Sequence, residues 1–142
     1  MKIMPEEEIQ GLGIIFHTGS YDKVFHGLSF AISGLAMDMK VKLFFTYWSL
    51  EYLKKGNEKL VILDSDGENN KNWIDKNRAD GHMYDIADYI DKIKTLEGEV
   101  FVCSGSMDMY KVKQKDLIDS VDKIAGIATF LAETQGYQLL YI

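Results

Sequence analysis

The chain contains one cysteine, Cys103, and a thiolate is the strongest nucleophile that protein side chains offer near neutral pH. It ends the segment Glu99–Cys103, in which an apolar run follows Glu99, a pattern typical of a buried strand. Turn-forming residues follow it directly: Ser104, Gly105 and Ser106. Unpaired amide N–H groups at a helix start stabilise negative charge, so this position would favour the thiolate. The alternative is that Cys103 is a small hydrophobic residue of the core.

A single thiol restricts the chemistry that Cys103 can carry out. A disulfide, a Cys-x-x-Cys pair and a four-cysteine zinc site all need further cysteines, and a two-cysteine peroxidase needs a resolving thiol. Sulfane-sulfur transfer needs only one thiolate, which accepts a sulfur atom, holds it as a persulfide and passes it to another protein's thiol. The sequence therefore allows a sulfur carrier or sulfurtransferase, and it leaves open whether the protein is an enzyme.

Further candidate residues follow two other predicted strands. His17 could favour the thiolate as a cation or proton donor, or it could be a hydrogen-bonded structural histidine. Tyr47 and Trp48 could exclude water from a persulfide, or they could pack between subunits. Thr18 and Gly19 precede a predicted helix and could hold an anion such as a phosphate. That last possibility predicts an alternative function, a small-ligand module for anions or nucleotides without thiol chemistry.

Alternating strand and helix patterns predict an α/β fold, a three-layer α/β/α sandwich around a mostly parallel sheet of four or five strands. The predicted strands cover residues 12–17, 41–46, 99–103 and 137–142, with a possible short or edge strand at 59–64. The predicted helices cover residues 21–37, 50–55, 82–96, 107–110, 114–120 and 121–134. Because parallel strands end at the same edge of a sheet, we expect His17, Tyr47 and Cys103 to meet there.

The length of 142 residues fits a single domain, residues 1–142. Residues 1–10 are expected to form an N-terminal tail or a short helix. Residues 56–80 are polar and are expected to form a surface excursion, with a turn at residues 64–70. Several predicted helices are apolar on more than one face, which favours a homo-oligomer.

Composition excludes several classes of protein. Hydrophobic residues make up 46% of the chain, enough for a core, whereas a net charge of -6 and a single arginine, Arg78, argue against a nucleic-acid surface. Three histidines without paired spacing predict no metal site, and no cofactor is expected. The apolar stretch 24–37 is too short to span a membrane. One cysteine and no signal-peptide pattern predict the reducing cytoplasm.

Several ordered blocks of the sequence resemble the DsrE/DsrF-like (DsrEFH) family, and most closely its DsrE2 branch, which is often labelled "peroxiredoxin family protein". The first blocks are residues 14–23 and residues 41–50, with the sequence VKLFFTYWSL. The later blocks are CSGSMD at 103–108, DLID at 116–119 and GIATFL at 126–131. The resemblance runs from about residue 13 to residue 142, apart from the polar middle of the chain.

The resemblance implies a DsrEFH-like α/β/α fold, a cytoplasmic homo-oligomer and a role in sulfur relay with thiol-bearing donor and acceptor proteins. In the family, the cysteine matched by Cys103 carries the persulfide. Gly105 stands where the family usually has Met, and Tyr110 and Lys111 replace a usual Met-Gly pair. The leading hypothesis is a sulfur carrier, which requires the sulfur of Cys103 to be reachable and anionic. A third reading is a structural partner in a sulfur-metabolising complex, with Cys103 buried.

Overall fold

Five parallel strands form one sheet in the computed structural model, which describes residues 9–142. The strands are β1 Gly11–Phe16, β2 Lys40–Phe45, β3 Glu99–Cys103, β4 Lys123–Ala125 and β5 Tyr137–Tyr141. Their order across the sheet is β4-β3-β2-β1-β5. The predicted tail or helix at residues 1–10 lies outside the described residues, except for Ile9 and Gln10, which belong to no helix or strand.

Helices lie on both faces of this sheet, so the predicted three-layer α/β/α architecture is confirmed. The α-helices of the described chain are α1 Tyr21–Ala36, α2 Ser65–Asn69, α3 Lys71–Ala79, α4 Ile86–Thr95, α5 Ser104–Met109 and α6 Ile127–Glu133. Two 3₁₀ helices cover Tyr47–Leu53 and Gln114–Asp116. Within residues 9–142, no helix combines the length and the hydrophobicity needed to cross a bilayer.

The first face of the sheet carries most of the core. Alternate residues of β1, Leu12 and Ile14, point to this face and pack with Leu28 of α1 and Ile90 of α4. Leu28 and Ile90 are fully buried, and each such side chain contributes on the order of 2 kcal/mol. The helical spacing of the apolar residues in α1 therefore predicts the layer that covers this face.

The second face of the sheet is covered by the short helix α6. Phe130 of α6 stacks on Phe44 with ring centroids 4.5 Å apart, and it meets Phe101 edge-on at 5.6 Å. These rings form a separate small cluster with Cys103 and Ala125. The cysteine thus belongs to the more thinly covered side of the sandwich.

The polar middle of the chain differs from its predicted local structure. Residues 59–64 form no strand, and the predicted turn at 64–70 is occupied by helix α2. The carboxylate of Asp64 accepts a hydrogen bond from the Gly67 amide at 2.9 Å and so caps α2 at its start. An N-cap followed by polar residues resembles a turn in sequence, which explains the wrong prediction. Ile74 of α3 is buried in the core, so the segment is anchored to the fold.

The predicted helices at 114–120 and 121–134 are also wrong in part. The first contains only the 3₁₀ turn Gln114–Asp116, and the second begins with strand β4 before α6 starts. The Asp122 carboxylate accepts a hydrogen bond from the Val100 amide at 2.7 Å, which draws β4 into the sheet beside β3. Because β4 has only three residues, the helical spacing of its flanking apolar residues concealed it.

Candidate functional site

The carboxyl ends of β1, β2 and β3 meet at one edge of the sheet. Phe16 pairs with Phe45, and Phe45 pairs with Val102, so the three strands end at the same level. The residues that follow these ends include His17 and Cys103. The structure therefore brings together the strand exits that the sequence predicted would meet.

A cavity of about 300 Å³ opens at this edge, between the second face of the sheet, α5 and α6. Five of the predicted site residues line it: His17, Tyr47, Cys103, Gly105 and Ser106. The rest of the lining is mainly apolar: Ile15, Phe44, Thr46, Met109, Ile127, Phe130, Leu131 and Tyr141. Such a chamber excludes most water from the cysteine while leaving it an opening.

Cys103 lies between its strand and the helix that follows. It is the N-cap residue of α5, so the predicted Ser104–Ser106 turn is in fact the first turn of that helix. Its side chain is 6% exposed, and a Cβ built on Gly105 would lie 3.8 Å from its Sγ. The sulfur is thus shielded from bulk solvent but faces the cavity across a residue without a side chain.

Tyr47 forms the wall opposite α5 in an unusual backbone conformation. Its φ of 48° lies in the left-handed region, which costs a bulky residue about 1–2 kcal/mol. Its amide donates a hydrogen bond to the Ser106 hydroxyl at 3.0 Å, and Ser106 is 1% exposed. The Tyr47 ring stacks on His17 with centroids 4.5 Å apart. These contacts hold the strained residue against the cavity.

His17 contacts the cavity through its ring. Besides Tyr47, the imidazole lies 6.2 Å from the ring of Tyr141, centroid to centroid. Its backbone amide donates to the Ile142 carbonyl at 2.7 Å, which ties the end of β1 to the end of β5. The position of the imidazole is therefore set by two aromatic neighbours, Tyr47 after β2 and Tyr141 in β5, the strands on either side of β1.

Four predicted site residues do not line the cavity: Ser104, Thr18, Gly19 and Trp48. Ser104 begins α5 and is half-buried. The indole of Trp48 is 54% exposed and packs on Tyr110 at a centroid distance of 5.3 Å. A Cβ on Gly19 would come within 2.9 Å of the Trp48 Cβ, so glycine is needed where these two segments touch. Thr18 accepts a hydrogen bond from the Ser20 amide at 3.0 Å.

The start of α1, where Thr18 and Gly19 were expected to hold an anion, is occupied by the chain itself. The Tyr21 amide donates to the Ile62 carbonyl at 2.7 Å. The Ser20 hydroxyl donates to the Asp22 carboxylate at 2.7 Å and accepts from the Asp64 amide at 3.3 Å. Lys23, which pairs with Asp64, holds the pKa of that carboxyl below its ordinary value. Two carboxylates and a carbonyl therefore oppose an anion at this position.

Sequence reasoning missed the outer rim of the cavity. Its residues are apolar or aromatic and about half or more exposed: Met109, Ile127, Leu131 and Tyr141. Tyr141 could have been found from the alternation of β5, which places it on the same face as Leu139. The residues of α6 could not, because the predicted helix at 121–134 ran through β4.

Between residues 9 and 142, no three histidine, cysteine, aspartate or glutamate side chains come together as a set of metal ligands. The site of Cys103 is instead a thiol in an apolar chamber with an aromatic and imidazole wall.

A protein-family model matches the first part of the chain. Residues 9–76 match the model of the DsrE/DsrF/DrsH-like family, which confirms the family resemblance drawn from the sequence. The chain is also similar to the uncharacterized protein YrkE of Bacillus subtilis (strain 168), with 24% identity over 91% of this chain and 94% of that protein.

Solved structures agree on the fold. The ychN protein from E. coli superposes with a TM-score of 0.67 at 16% identity, over 94% of this chain and 99% of that one. MTH1491 from Methanobacterium thermoautotrophicum, a protein of unknown function, gives a TM-score of 0.63 at 10% identity. That match covers 95% of this chain and 100% of the MTH1491 chain.

Proposed function

We propose that this protein is a sulfur carrier that holds sulfane sulfur as a persulfide on Cys103. The observation that carries the proposal is the position of the chain's one thiol, at the carboxyl edge of the sheet and facing a mainly apolar cavity. Family resemblance supports it, since the matched cysteine of DsrE-like proteins carries sulfur. The rate of sulfur transfer distinguishes a sulfurtransferase from a passive carrier.

The transfer needs no outside oxidant or reductant. The Cys103 thiolate attacks the outer sulfur of a donor persulfide, R–S–SH; a new S–S bond forms, the donor S–S bond breaks, and the thiol R–SH leaves with the proton. The acceptor's thiolate then attacks the outer sulfur on Cys103 in the same way, and the Cys103 thiolate is released. Each step exchanges one S–S bond for another, so the overall oxidation state does not change.

The walls of the cavity suit a persulfide. Apolar neighbours limit the access of water and of stray thiols to the terminal sulfur. The amides of Ser104, Gly105 and Ser106 occupy the first turn of α5, have no acceptor within the helix, and are the donors expected to stabilise the anion. The stacked rings of His17 and Tyr47 supply a rigid aromatic side wall. The other four predicted site residues lie outside the cavity and position the segments that line it: Ser104, Thr18, Gly19 and Trp48.

We also propose partners and a cellular compartment for this protein. The exposed apolar rim of the cavity, with Ile127, Leu131 and Tyr141, suits contact with a second copy of the chain. Donors and acceptors are thiol-bearing proteins, which must be able to reach the same edge. An unpaired thiol of this kind works in a reducing compartment, which we take to be the cytoplasm.

Intact-mass spectrometry tests the proposal. After incubation with glutathione persulfide, the protein is expected to gain the mass of one sulfur atom, and Cys103→Ser is expected to gain none. A matched control moves the thiol to the exposed face of α1, in Cys103→Ser combined with Ser33→Cys. The persulfide on Cys103 should outlast the persulfide on the relocated thiol. No gain on Cys103 would contradict the proposal, and equal lifetimes would remove the protective role of the cavity.

A further inference from the structure

A lysine-rich surface adjoins the cavity of Cys103. A neighbouring cavity of about 350 Å³ is lined by four lysines and a single carboxylate, that of Asp116. We call the four the lysine cluster: Lys54, Lys55, Lys111 and Lys115. The whole chain carries a net charge of -6, so a local excess of positive charge is a departure from the rest of the surface.

Most of this charge is not neutralised by the part of the chain that the structure describes. Lys54 pairs with Glu51 at 2.7 Å, but the other three lysines have no ion pair with any of residues 9–142. Asp116 accepts a hydrogen bond from the Lys113 amide at 2.9 Å, which turns its carboxylate toward its own backbone. Within residues 9–142, three of the four ammonium groups therefore remain available to an incoming molecule.

Aromatic side chains join the lysine cluster to the site of Cys103. Tyr110 lines the lysine cavity, and its ring lies 6.2 Å from that of Tyr47, which walls the Cys103 cavity. The intervening helix α5 has six residues and an axis of about 9 Å. Cys103 and Lys111 therefore flank the two ends of one short helix.

Lys111 occupies a position that suits glycine better. Its φ is 55°, and it follows the C-cap of α5. The Val112 amide donates to the Met107 carbonyl at 2.9 Å, and the Lys111 amide donates to the Asp108 carbonyl at 3.3 Å. This is the Schellman pattern, in which glycine is the usual residue at the left-handed position. A lysine here strains the fold and adds a cation beside the site.

We propose that the lysine cluster docks an acidic protein partner whose thiol or persulfide enters the Cys103 cavity. This inference rests on the proposed function and names the kind of protein that exchanges sulfur with it. A protein fits better than a small anion because one molecule must touch the cluster and the sulfur at once. Exposed Trp48 and half-exposed Tyr110 lie between the two and are residue types enriched at protein interfaces. Acidic side chains about three or four extended residues from the partner's cysteine would span the distance.

Three synthetic cysteine peptides of equal length test this docking. Each carries its cysteine as a mixed disulfide with 2-thiopyridine, and its flank holds two Glu, two Gln or two Lys residues. The Cys103 thiolate attacks the peptide sulfur; a new S–S bond forms, the bond to the pyridyl sulfur breaks, and pyridine-2-thione leaves with the proton. At low salt we expect the Glu peptide to react about three- to tenfold faster than the Gln peptide, and the Lys peptide to be the slowest. In about 1 M salt the three rates should converge.

Matched charge variants locate the effect. Lys111→Gln combined with Lys115→Gln should lower the Glu-to-Gln rate ratio toward one. Lys40→Gln combined with Lys92→Gln removes the same charge near the opposite edge of the sheet and should keep the ratio of the unmodified protein. Equal rates with all three peptides would overturn the docking surface and leave the persulfide proposal standing. If Cys103 reacted with none of the peptides, both proposals would fail.

Discussion

The backbone amide of Tyr47 donates a hydrogen bond to the hydroxyl of Ser106 over 3.0 Å. This bond joins the exit of β2 to the first helical turn after β3, so it fixes two walls of the Cys103 cavity relative to each other. It also helps to hold Tyr47 in its left-handed conformation. The shape of the cavity thus depends on a serine three residues beyond the cysteine.

Removing the Ser106 hydroxyl should loosen this wall. Ser106→Ala leaves a peptide N–H near the cavity without its acceptor, so we expect the free energy of unfolding in urea to fall by about 1–3 kcal/mol. Iodoacetamide should also alkylate Cys103 faster. Ser104→Ala is the matched control, because the Ser104 hydroxyl is half-buried and its loss should change stability by no more than about 0.5 kcal/mol. Equal effects of the two substitutions would show that the bond to Tyr47 has no special role.

A side chain at residue 105 should close the approach to the sulfur. Apart from its chain neighbours and the backbone of its own helix, a Cβ at Gly105 would meet one atom of residues 9–142 within 4 Å, the Cys103 Sγ at 3.8 Å. Gly105→Ala should stabilise the protein by up to about 1 kcal/mol, because glycine is a poor helix former and lies within α5. Gly105→Leu should slow alkylation of Cys103 severalfold while the protein remains folded. Unchanged alkylation in the leucine variant would mean that reagents reach the sulfur from another direction.

The stability of the protein should decline at alkaline pH through Tyr52. Burial raises the pKa of this phenol from 10.0 to about 12, and the hydrogen bond from the Ile62 amide offsets only part of the rise. A raised folded-state pKa stabilises the protein fully below about pH 10, where the phenol is protonated in both states. Between about pH 10 and pH 12 the unfolded state loses its proton first, which removes about 2–3 kcal/mol.

Urea unfolding measured from about pH 8 to pH 12 checks this decline, with Tyr52→Phe as the comparison. The variant lacks the hydrogen bond to the Gly19 carbonyl, 2.7 Å long, and should be less stable near neutral pH by about 1–2 kcal/mol. Its stability should then fall less steeply above pH 10. Parallel curves for the two proteins would assign the alkaline loss to other groups, such as Tyr21, whose pKa is also raised by burial.

Replacing Lys111 should separate the strain in the fold from the charge at its surface. Lys111→Gly relieves a left-handed residue and should raise the free energy of unfolding by about 1 kcal/mol. Lys111→Ala removes the same charge but keeps the Cβ, so its stability should stay close to that of the unmodified protein. Both should weaken the preference for the acidic peptide equally. A gain in stability from alanine as large as that from glycine would argue against backbone strain.

The sequence predicts the layers and the meeting of the strand exits because both depend on long, regular patterns. The apolar run of β1 and the helical spacing in α1 predict both ends of each element to within one residue. Parallel pairing then brings His17 and Cys103 to one edge without any knowledge of side-chain contacts.

The rest of the candidate site depends on short or distant interactions. β4 has three residues and is drawn into the sheet by Asp122, a contact that no local pattern reveals. The length of the helix after Cys103 depends on the burial of Ser106 and Met107. The clash that would follow any side chain at Gly19 lies with Trp48, far along the chain.

The outer wall of the cysteine chamber depends on very little of α6. Of that helix only Phe130 is buried, between Phe44 and Phe101. A seven-residue helix has almost no stability of its own, so withdrawal of one ring releases the whole element at a fraction of the free energy of global unfolding. Such local unfolding of α6 would expose the thiol and the two phenylalanines together. The sheet beneath would stay intact during such an opening.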